Sequence, residues 1–401
     1  MIAHSESPGA VRVRFVRLAV LMSGAPLIAM VQIAILPAMT ELARRFSEGG
    51  VDGAFRAQLV MAVSAPTMAI GAPLSGWVAE RIGKRRMFLG FALVFTLAGC
   101  GGALAPDFWT LLVTRVLLGF AAVGLATTGM VFISEIYSGS VRNRLIGLVT
   151  FIGSGGSLLI LASAGTLAKI GGWRLPFVLY AAGLVVFLLA LPTVVEKRRA
   201  TLAAEATEDA SIRNATPLFL LTVVLAFVMY MPTVQGPDAL AQKGIIDPTI
   251  LTVIIMMMII GTMVTSFLFG PIRRRLGYWT IQAITFGLLG LGISGFGIAS
   301  NVIVLGVFGF VAGLGSGFIQ PLTQSEILAK VPPGASSRAI GVAVGCLFVP
   351  QLLNPFLVEP VRAHFGVEKA FVYVGIAALG SAALTLAWRA KERLRRAVSA
   401  G

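Results

Sequence analysis

The stretch GWVAERIGKRRMFLG occupies residues 76–90 and places four basic side chains and one carboxylate between two long apolar segments. A shortened form of this frame returns as GPIRRRLG at residues 270–277. Short basic segments between apolar runs are typical of the cytoplasmic loops of membrane proteins. The stretch therefore predicts a tight, charged turn between two membrane-spanning helices, and the chain contains this turn twice.

The composition also indicates a protein that crosses the membrane many times. The 401 residues are 57% hydrophobic and only 12% charged, which is about half the charged fraction of a soluble domain. Apolar runs of roughly 20 residues are long enough to cross about 30 Å of hydrocarbon as helices. Because the runs show no period-two alternation, they favour helices over barrel strands. Twelve spans fit, at residues 15–38, 58–79, 86–105, 109–131, 145–168, 174–194, 217–236, 248–270, 279–299, 301–324, 338–361 and 369–388.

The net charge of +15 has two interpretations, a nucleic-acid-binding surface or basic loops at a membrane. The basic residues separate apolar segments, without interleaved aromatic side chains and without a soluble domain to hold a groove. We therefore expect a lipid bilayer and no nucleic acid as the environment of these charges. Most of the 32 Lys and Arg residues lie on one side if the N-terminus is cytoplasmic, which predicts that both termini are cytoplasmic.

The sequence repeats itself with an offset of 194 residues. The frame of residues 76–83 returns at 270–277, and RLIG at 144–147 returns as RAIG at 338–341. Parallel repeats of six spans are typical of secondary transporters, with the substrate site between the two halves. The predicted organisation is an N-terminal six-helix bundle at residues 1–194, a cytoplasmic linker at 195–215 and a C-terminal six-helix bundle at 216–401.

These features resemble the major facilitator superfamily over essentially the whole chain. The segment 76–85 resembles the family signature Gly-x-x-x-Asp-Arg-x-Gly-Arg-Lys, with Glu80 in place of the usual Asp. RVLLG at 115–119 is similar to the family's Arg-x-x-x-Gly element, and Gly172-Trp173-Arg174 before the sixth span is also typical of it. The resemblance implies an all-α membrane protein with twelve transmembrane helices in two six-helix bundles. It also implies a carrier of small molecules and not an enzyme.

The resemblance further implies a latch in the first basic loop. In the family, the acidic residue of this loop faces the N-terminal end of the eleventh span, which here lies near Ser336 and Ser337. That end is positive because of its unpaired backbone N–H groups and the helix dipole. We predict that the cluster stabilises the outward-open state, while the alternative is that its basic residues only set topology. The predicted gating residues are Gly76, Glu80, Arg81, Gly83, Lys84 and Glu135.

A second group of residues is predicted to line the substrate cavity. Arg115 is the only basic residue deep in a predicted span, where it must face the bundle interior or water. Three roles remain open for it: an anion contact, a coupling element near a proton site, or hydrogen bonding to neighbouring backbone. For each buried amide, a contact between helices is an alternative to a ligand contact. The predicted cavity residues are Gln32, Arg115, Tyr230, Gln235, Gln320, Gln324, Gln351 and Asn354.

The function predicted from these patterns is secondary active transport. None of the 17 Asp and Glu residues lies near a predicted helix centre, and segments 31–34 and 161–165 lack the acid and the proline that many drug antiporters of the family carry. Overall similarity to bacterial drug exporters still favours proton-coupled efflux of a small organic compound. We expect the transporter to function as a monomer and to be located in the bacterial inner membrane. The alternative is an uptake symporter for an organic acid or another small metabolite. We expect no cofactor and no metal site, because no cluster of suitable ligands lies in the spans.

Overall fold

The computed structural model describes residues 8–46, 53–195, 213–245, 248–332 and 335–400, and every regular element in these ranges is helical. In a membrane the backbone must satisfy its own hydrogen bonds, so a continuous apolar run forms a helix. The helices are α1 (Pro8–Met22), α2 (Gly24–Ile33), α3 (Met39–Arg45), α4 (Gly53–Ala62), α5 (Ser64–Ile82), α6 (Lys84–Gly101), α7 (Phe108–Ile136), α8 (Gly139–Gly171), α9 (Ala182–Thr193), α10 (Thr216–Gln242), α11 (Pro248–Arg275), α12 (Tyr278–Ile298), α13 (Val302–Lys330), α14 (Ser336–Phe365) and α15 (Val367–Ala400).

Eleven segments among the described residues are long and apolar enough to span a membrane. One of them, Gly139–Thr193, has 55 residues and contains both the fifth and the sixth predicted spans. It is divided at Gly172, whose φ of +67° ends α8 and begins a 3-10 helix, Gly172–Ala181, that leads into α9. The segments therefore contain or overlap all twelve predicted spans, which confirms the all-α membrane fold.

The chain forms two compact units. Unit 1 consists of Met1–Tyr137, Gly156–Asn214 and Val331–Gly345, and unit 2 consists of Ser138–Gly155, Ala215–Lys330 and Cys346–Gly401. Each unit thus includes a short segment from the other half of the sequence. The division into bundles at 1–194 and 216–401 remains a prediction, and most of the predicted linker, residues 196–212, lies outside the described residues.

In unit 1, the first part of α14 packs closely against the second part of α5. A Cβ atom on Gly76 would lie 2.5 Å from the carbonyl oxygen of Ser337. A Cβ atom on Gly341 would likewise lie 2.5 Å from the carbonyl oxygen of Ala72. Small residues let helix backbones approach in this way, so the two glycines determine the spacing of the helices.

Unit 2 repeats the same packing between the first part of α8 and the second part of α11. A Cβ atom on Gly147 would lie 2.5 Å from the carbonyl oxygen of Ser266, and one on Gly270 would lie 3.1 Å from the Cα of Arg144. Both glycines are related to those of unit 1 by the offset of 194 residues. The sequence repeat is therefore also a repeat of helix packing.

The ends of the helices show the same repeat. The Asp107 carboxylate accepts a hydrogen bond of 2.9 Å from the backbone N–H of Thr110 at the start of α7. At the start of α13, the equivalent residue Asn301 accepts one of 2.8 Å from the backbone N–H of Ile303. Such side chains satisfy N–H groups that have no partner within the helix. These bonds also lower the pKa of Asp107, first through the Thr110 N–H and then through the Thr110 hydroxyl.

Candidate functional site

The turn between α5 and α6 is built around Gly83. Its φ of +99° lies in a region that L side chains rarely adopt, and it separates the last residue of α5 from the first residue of α6. The structure therefore places the first predicted gating residues at a tight turn. Gly76, nearly two turns before the end of α5, lies against the start of α14 as described above.

The charged residues of the predicted gating cluster take different positions. Lys84 forms an ion pair with Glu135 at the end of α7. The guanidinium carbon of Arg81 lies only 3.7 Å from the centre of the Trp77 ring, so its observed contact is a cation–π contact. The side chain of Glu80 lies outside the described part of the structure, and its role as a latch stays a prediction.

Arg85, next to this cluster, has a role that the sequence did not suggest. Its Nε donates to the carbonyl of Val194 at 2.8 Å and its Nη2 donates to the carbonyl of Leu191 at 2.9 Å. These carbonyls belong to the last turn of α9, whose final C=O groups have no partner within the helix. Arg86 is exposed instead. Two adjacent arginines in one basic loop therefore differ, and only the first one ties α6 to α9.

Arg115 on α7 is the most deeply buried charged residue in the described part of unit 1, with 1% of its surface exposed. Its Nη1 donates to the hydroxyl of Tyr180 at 2.8 Å and approaches the carbonyl of Val31 at 3.5 Å. Its guanidinium carbon lies 4.7 Å from the centre of the Phe177 ring. Among the residues that the structure describes, no carboxylate pairs with Arg115.

The guanidinium of Arg115 is only partly satisfied by these contacts. Its Nε and Nη2 are buried and have no hydrogen-bond partner within the described ranges of the chain. Arginine stays protonated in proteins, so the side chain carries a fixed positive charge inside the membrane. Leaving charged donors unpaired costs free energy, and such residues in membrane proteins usually mark a pathway or a ligand site.

The predicted cavity residues of unit 2 contain one hydrogen-bonded pair. Gln235 on α10 donates from Nε2 to Oδ1 of Asn354 on α14 at 3.0 Å. Asn354 in turn donates to the sulfur of Met231 at 3.5 Å. Both amides are buried, at 5% and 0% exposure. The geometry here is that of a contact between two helices, the alternative that the sequence left open.

The remaining predicted cavity residues are more separated. Gln32, in unit 1, lies with its Nε2 4.0 Å from the sulfur of Met68. In unit 2, Gln324 is buried, and neither its side-chain nitrogen nor its side-chain oxygen has a hydrogen-bond partner among the residues that the structure describes. Tyr230, Gln320 and Gln351 are half-buried. Gln32 and Arg115 belong to unit 1, and the other six belong to unit 2.

A buried lysine ties together three helix ends in unit 2. Lys243 is 2% exposed, donates to the carbonyl of Ala299 at 2.7 Å and pairs with Glu368 at 3.2 Å. In unit 1 the equivalent carbonyl, that of Ala105, accepts from Arg174 at 3.5 Å. Arg174 and Glu368 are repeat partners with opposite charges. Lysine therefore supplies in unit 2 the positive charge that arginine supplies in unit 1.

No metal site is evident in the ranges that the structure describes, since these ranges hold no group of three or more His, Cys, Asp and Glu side chains that could bind a metal ion. The sequence missed Tyr180, Phe177, Arg85 and Lys243. A signal was present only for the first two, because aromatic residues are the common partners of a buried guanidinium.

Comparison with known proteins finds a matching family model, two transport proteins of similar sequence and a solved transporter structure of similar fold. The family model described as Major Facilitator Superfamily matches residues 21–355. The putative metabolite transport protein YyaJ of Bacillus subtilis is 23% identical over 363 residues, which cover 79% of this chain and 80% of that protein. The multi-drug resistance efflux pump PmrA of Streptococcus pneumoniae is 22% identical over 349 residues, covering 84% and 87%. The solved structure of the proton:xylose symporter XylE has a TM-score of 0.73 at 17% identity and covers 93% of this chain and 95% of that chain.

Proposed function

Since the chain belongs to the Major Facilitator Superfamily and is a multi-pass secondary transporter, not an enzyme, we propose that it carries a small organic anion by alternating access. The observation that supports the anion is Arg115, a buried positive charge without a carboxylate partner among the described residues. A substrate that brings its own negative charge would supply the missing partner.

Electrostatics argue against a cationic substrate for this chain. At about 10 Å and an effective dielectric constant of about 20, a unit negative charge gains about 1.7 kcal/mol from a fixed positive charge, and a cation loses the same amount. The described acids lie at helix ends, as Glu135 does on α7 and Glu326 on α13. A carboxylate that could offset the arginine is thus absent from the middle of the described helices.

The proposed direction of transport is efflux driven by protons, and uptake by a symporter is the second candidate. Efflux is supported by the similarity to PmrA, a multidrug efflux pump by name, over most of both chains. Uptake is supported by the similarity to YyaJ, which is described as a putative metabolite transport protein. We further propose that the working unit is a monomer in a bacterial inner membrane with both termini cytoplasmic, in keeping with the basic loops.

Transport in membrane vesicles tests the substrate charge and the direction together. Labelled benzoate, benzamide and tetraethylammonium represent an anion, a neutral compound and a cation. We expect saturable transport of the anion alone, and an Arg115→Gln variant should raise its KM about tenfold, as the Coulomb energy above predicts. Arg86→Gln, which removes an exposed arginine of the first basic loop, is the matched control. Transport of the cation but not of the anion would contradict the proposal.

The direction follows from the orientation of the vesicles. Energised accumulation in everted vesicles indicates export, because their interior corresponds to the outside of the cell. Accumulation only in right-side-out vesicles indicates uptake. Collapse of the pH gradient with an ionophore should abolish accumulation if protons drive transport, and unchanged accumulation would exclude proton coupling.

We also propose that the predicted gating cluster, Gly76, Glu80, Arg81, Gly83, Lys84 and Glu135, stabilises the outward-open state. The Lys84–Glu135 ion pair and the close approach of α5 to the start of α14 support this role. Glu80→Gln should reduce the transport rate and leave membrane insertion normal. Glu359→Gln, at an exposed carboxylate far along α14, serves as the control, and an unchanged rate in Glu80→Gln would remove the latch.

A further inference from the structure

We propose that the unpaired edge of Arg115 binds a carboxylate group of the substrate through two hydrogen bonds, and that Tyr180 is the positioning residue that presents this edge. The inference rests on the proposed function and adds the chemical group that is recognised. Two hydrogen bonds to a carboxylate would also make the site selective for carboxylates over other anions, which a positive charge alone does not do.

The guanidinium group of arginine presents two N–H donors along one edge. The N–H of Nε and one N–H of Nη2 point to the same side of the planar group and match the two oxygens of a carboxylate. In Arg115 these two nitrogens are the buried donors that have no partner among the residues described, whereas Nη1 is hydrogen-bonded to Tyr180. The free capacity of the side chain is therefore the two-point edge and not a scattered set of donors.

Tyr180 holds Nη1 of Arg115 through its hydroxyl group. Its hydroxyl donates to the carbonyl of Met30 at 3.2 Å and accepts from Arg115 at 2.8 Å. Because the single O–H is committed to the carbonyl, the oxygen faces the guanidinium as an acceptor. The Tyr180 ring is fully buried and packs edge-on against Phe95 and Phe177. This packing limits ring rotation, so the hydroxyl keeps one end of the guanidinium in place.

Two glycines at the end of α6 and in the 3-10 turn that follows it leave space for the rings of Tyr180 and Phe177. A Cβ atom on Gly99 would overlap Tyr180, and one on Gly102 would overlap Phe177. Glycine at both positions therefore allows the two aromatic rings to reach Arg115. The cation–π contact with Phe177 adds attraction on the face of the guanidinium and does not use the N–H donors of its edge.

The other half of the chain indicates that this arrangement is not needed to build the fold. At the offset of 194 residues, Arg115 corresponds to Gly309 and Tyr180 corresponds to Val374. Unit 2 forms its helices and its core without a buried guanidinium at this place. An arrangement that is costly to bury and is present in one half only is better explained by a ligand than by packing.

The experiment uses the purified full chain in liposomes. Labelled benzoate, succinate and gluconate serve as carboxylate probes, benzenesulfonate and methyl phosphate as other anions, and benzamide as a neutral compound. In Tyr180→Phe, the KM for the transported carboxylate should rise about tenfold with Vmax within about twofold, as expected for the loss of a charge-assisted contact. Its preference for carboxylate over sulfonate should also narrow. Tyr373→Phe, at an exposed tyrosine of α15, should leave both values unchanged.

A second variant and a second measurement guard against simple misfolding. Arg115→Lys keeps the positive charge but lacks the two-nitrogen edge, so it should transport anions without preferring carboxylates. Labelling with the arginine reagent phenylglyoxal, followed by peptide mass spectrometry, should modify Arg115 of the wild type during transport, and benzoate should reduce this modification by occupying the same edge. In Tyr180→Phe, benzoate should protect Arg115 less, while the melting temperature stays near that of the Tyr373→Phe control.

The outcomes separate this inference from the proposed function. If the wild type transports benzenesulfonate or methyl phosphate but no carboxylate, the inference is wrong and the anion carrier stands. If it transports no anion at all, the proposed function and the carboxylate site both fall. If a carboxylate is transported but Tyr180→Phe changes neither its KM nor the labelling of Arg115, Tyr180 has no positioning role and the inference is overturned.

Discussion

The hydrogen bond between Gln235 and Asn354 allows a sharp test of what a buried amide pair does in this transporter. Both side chains were predicted to line the substrate cavity, and the structure shows them bonded to each other at 3.0 Å. We expect the bond to stabilise unit 2. The perturbation is a double-mutant cycle of Gln235→Met, Asn354→Leu and the combined variant, each of which keeps approximately the original side-chain size.

The expected magnitude follows from burial. Either single change leaves one buried amide without its partner, which costs about 2 kcal/mol, within the usual range of about 1–3 kcal/mol. Replacing both amides by apolar groups of similar shape removes that cost and is expected to be nearly neutral. The two single costs of about 2 kcal/mol each, set against a nearly neutral double variant, give a coupling energy of about 4 kcal/mol. For a cooperative unit of about 150–250 residues, each kcal/mol shifts the melting temperature by about 2–4 °C, so each single variant should melt about 4–8 °C lower.

The assay can use the protein's own cysteines. The chain has two, Cys100 in unit 1 and Cys346 in unit 2, and both are half-buried, so a thiol-reactive dye reports their exposure during thermal unfolding in detergent. Retaining only Cys346 makes the signal specific for unit 2. Additive effects of the two single changes, with a coupling energy below about 0.5 kcal/mol, would refute a stabilising pair. Loss of transport in the double variant with normal stability would instead assign the amides to the substrate.

Three further predictions follow from local geometry. Gly83→Ala should destabilise the chain by about 1–3 kcal/mol because of the φ of +99°, whereas Gly90→Ala, at a position with open space around it, should be neutral or stabilising in the same melting assay. Lys243→Met should lower the free energy of unfolding by about 2–3 kcal/mol, since it leaves the Glu368 carboxylate and the Ala299 carbonyl without their donor. A melting temperature equal to that of the wild type would contradict this expectation. Hydrogen bonds to Thr110 lower the pKa of Asp107 in the folded state. The stabilisation by its carboxylate is therefore present above the ordinary aspartate pKa of about 3.9 and is lost as pH falls through the lower folded value. Melting curves of the wild type below that pH should show this loss of stability, and those of Asp107→Asn should not.

The helical spans could be predicted because their cause is local. An apolar run of about 20 residues satisfies its own backbone hydrogen bonds as a helix, whatever its neighbours are. The exception is the helical segment Gly139–Thr193, which contains two predicted spans. A glycine turn and a 3-10 helix separate the two spans within this segment. The positive φ of Gly172 ends the first of these helices, and a hydropathy pattern does not predict a backbone dihedral angle.

The basic loop shows where prediction from residue type ends. Arg85 and Arg86 are adjacent, identical and equally explained by topology, yet only Arg85 reaches the last carbonyls of α9. The distinction depends on the direction in which each side chain leaves α6 and on the position of a helix more than 100 residues away. Similarly, the membership of Arg81 in a charge cluster stays a prediction, while the contact that the structure shows for it, with the ring of Trp77, was not predicted.

By itself, the sequence determined the number of apolar spans, their repeat at 194 residues, the glycines of the turns and close contacts, and the presence of an arginine that needs a partner inside the membrane. Only the tertiary structure decided what those residues meet. It places Tyr180 on one end of Arg115, leaves the two buried donors of the other edge without a hydrogen-bond partner among the described residues, and pairs Gln235 with Asn354. The physical reason is range, because helix formation depends on neighbours within four residues, while these polar partners are brought together only when distant helices pack.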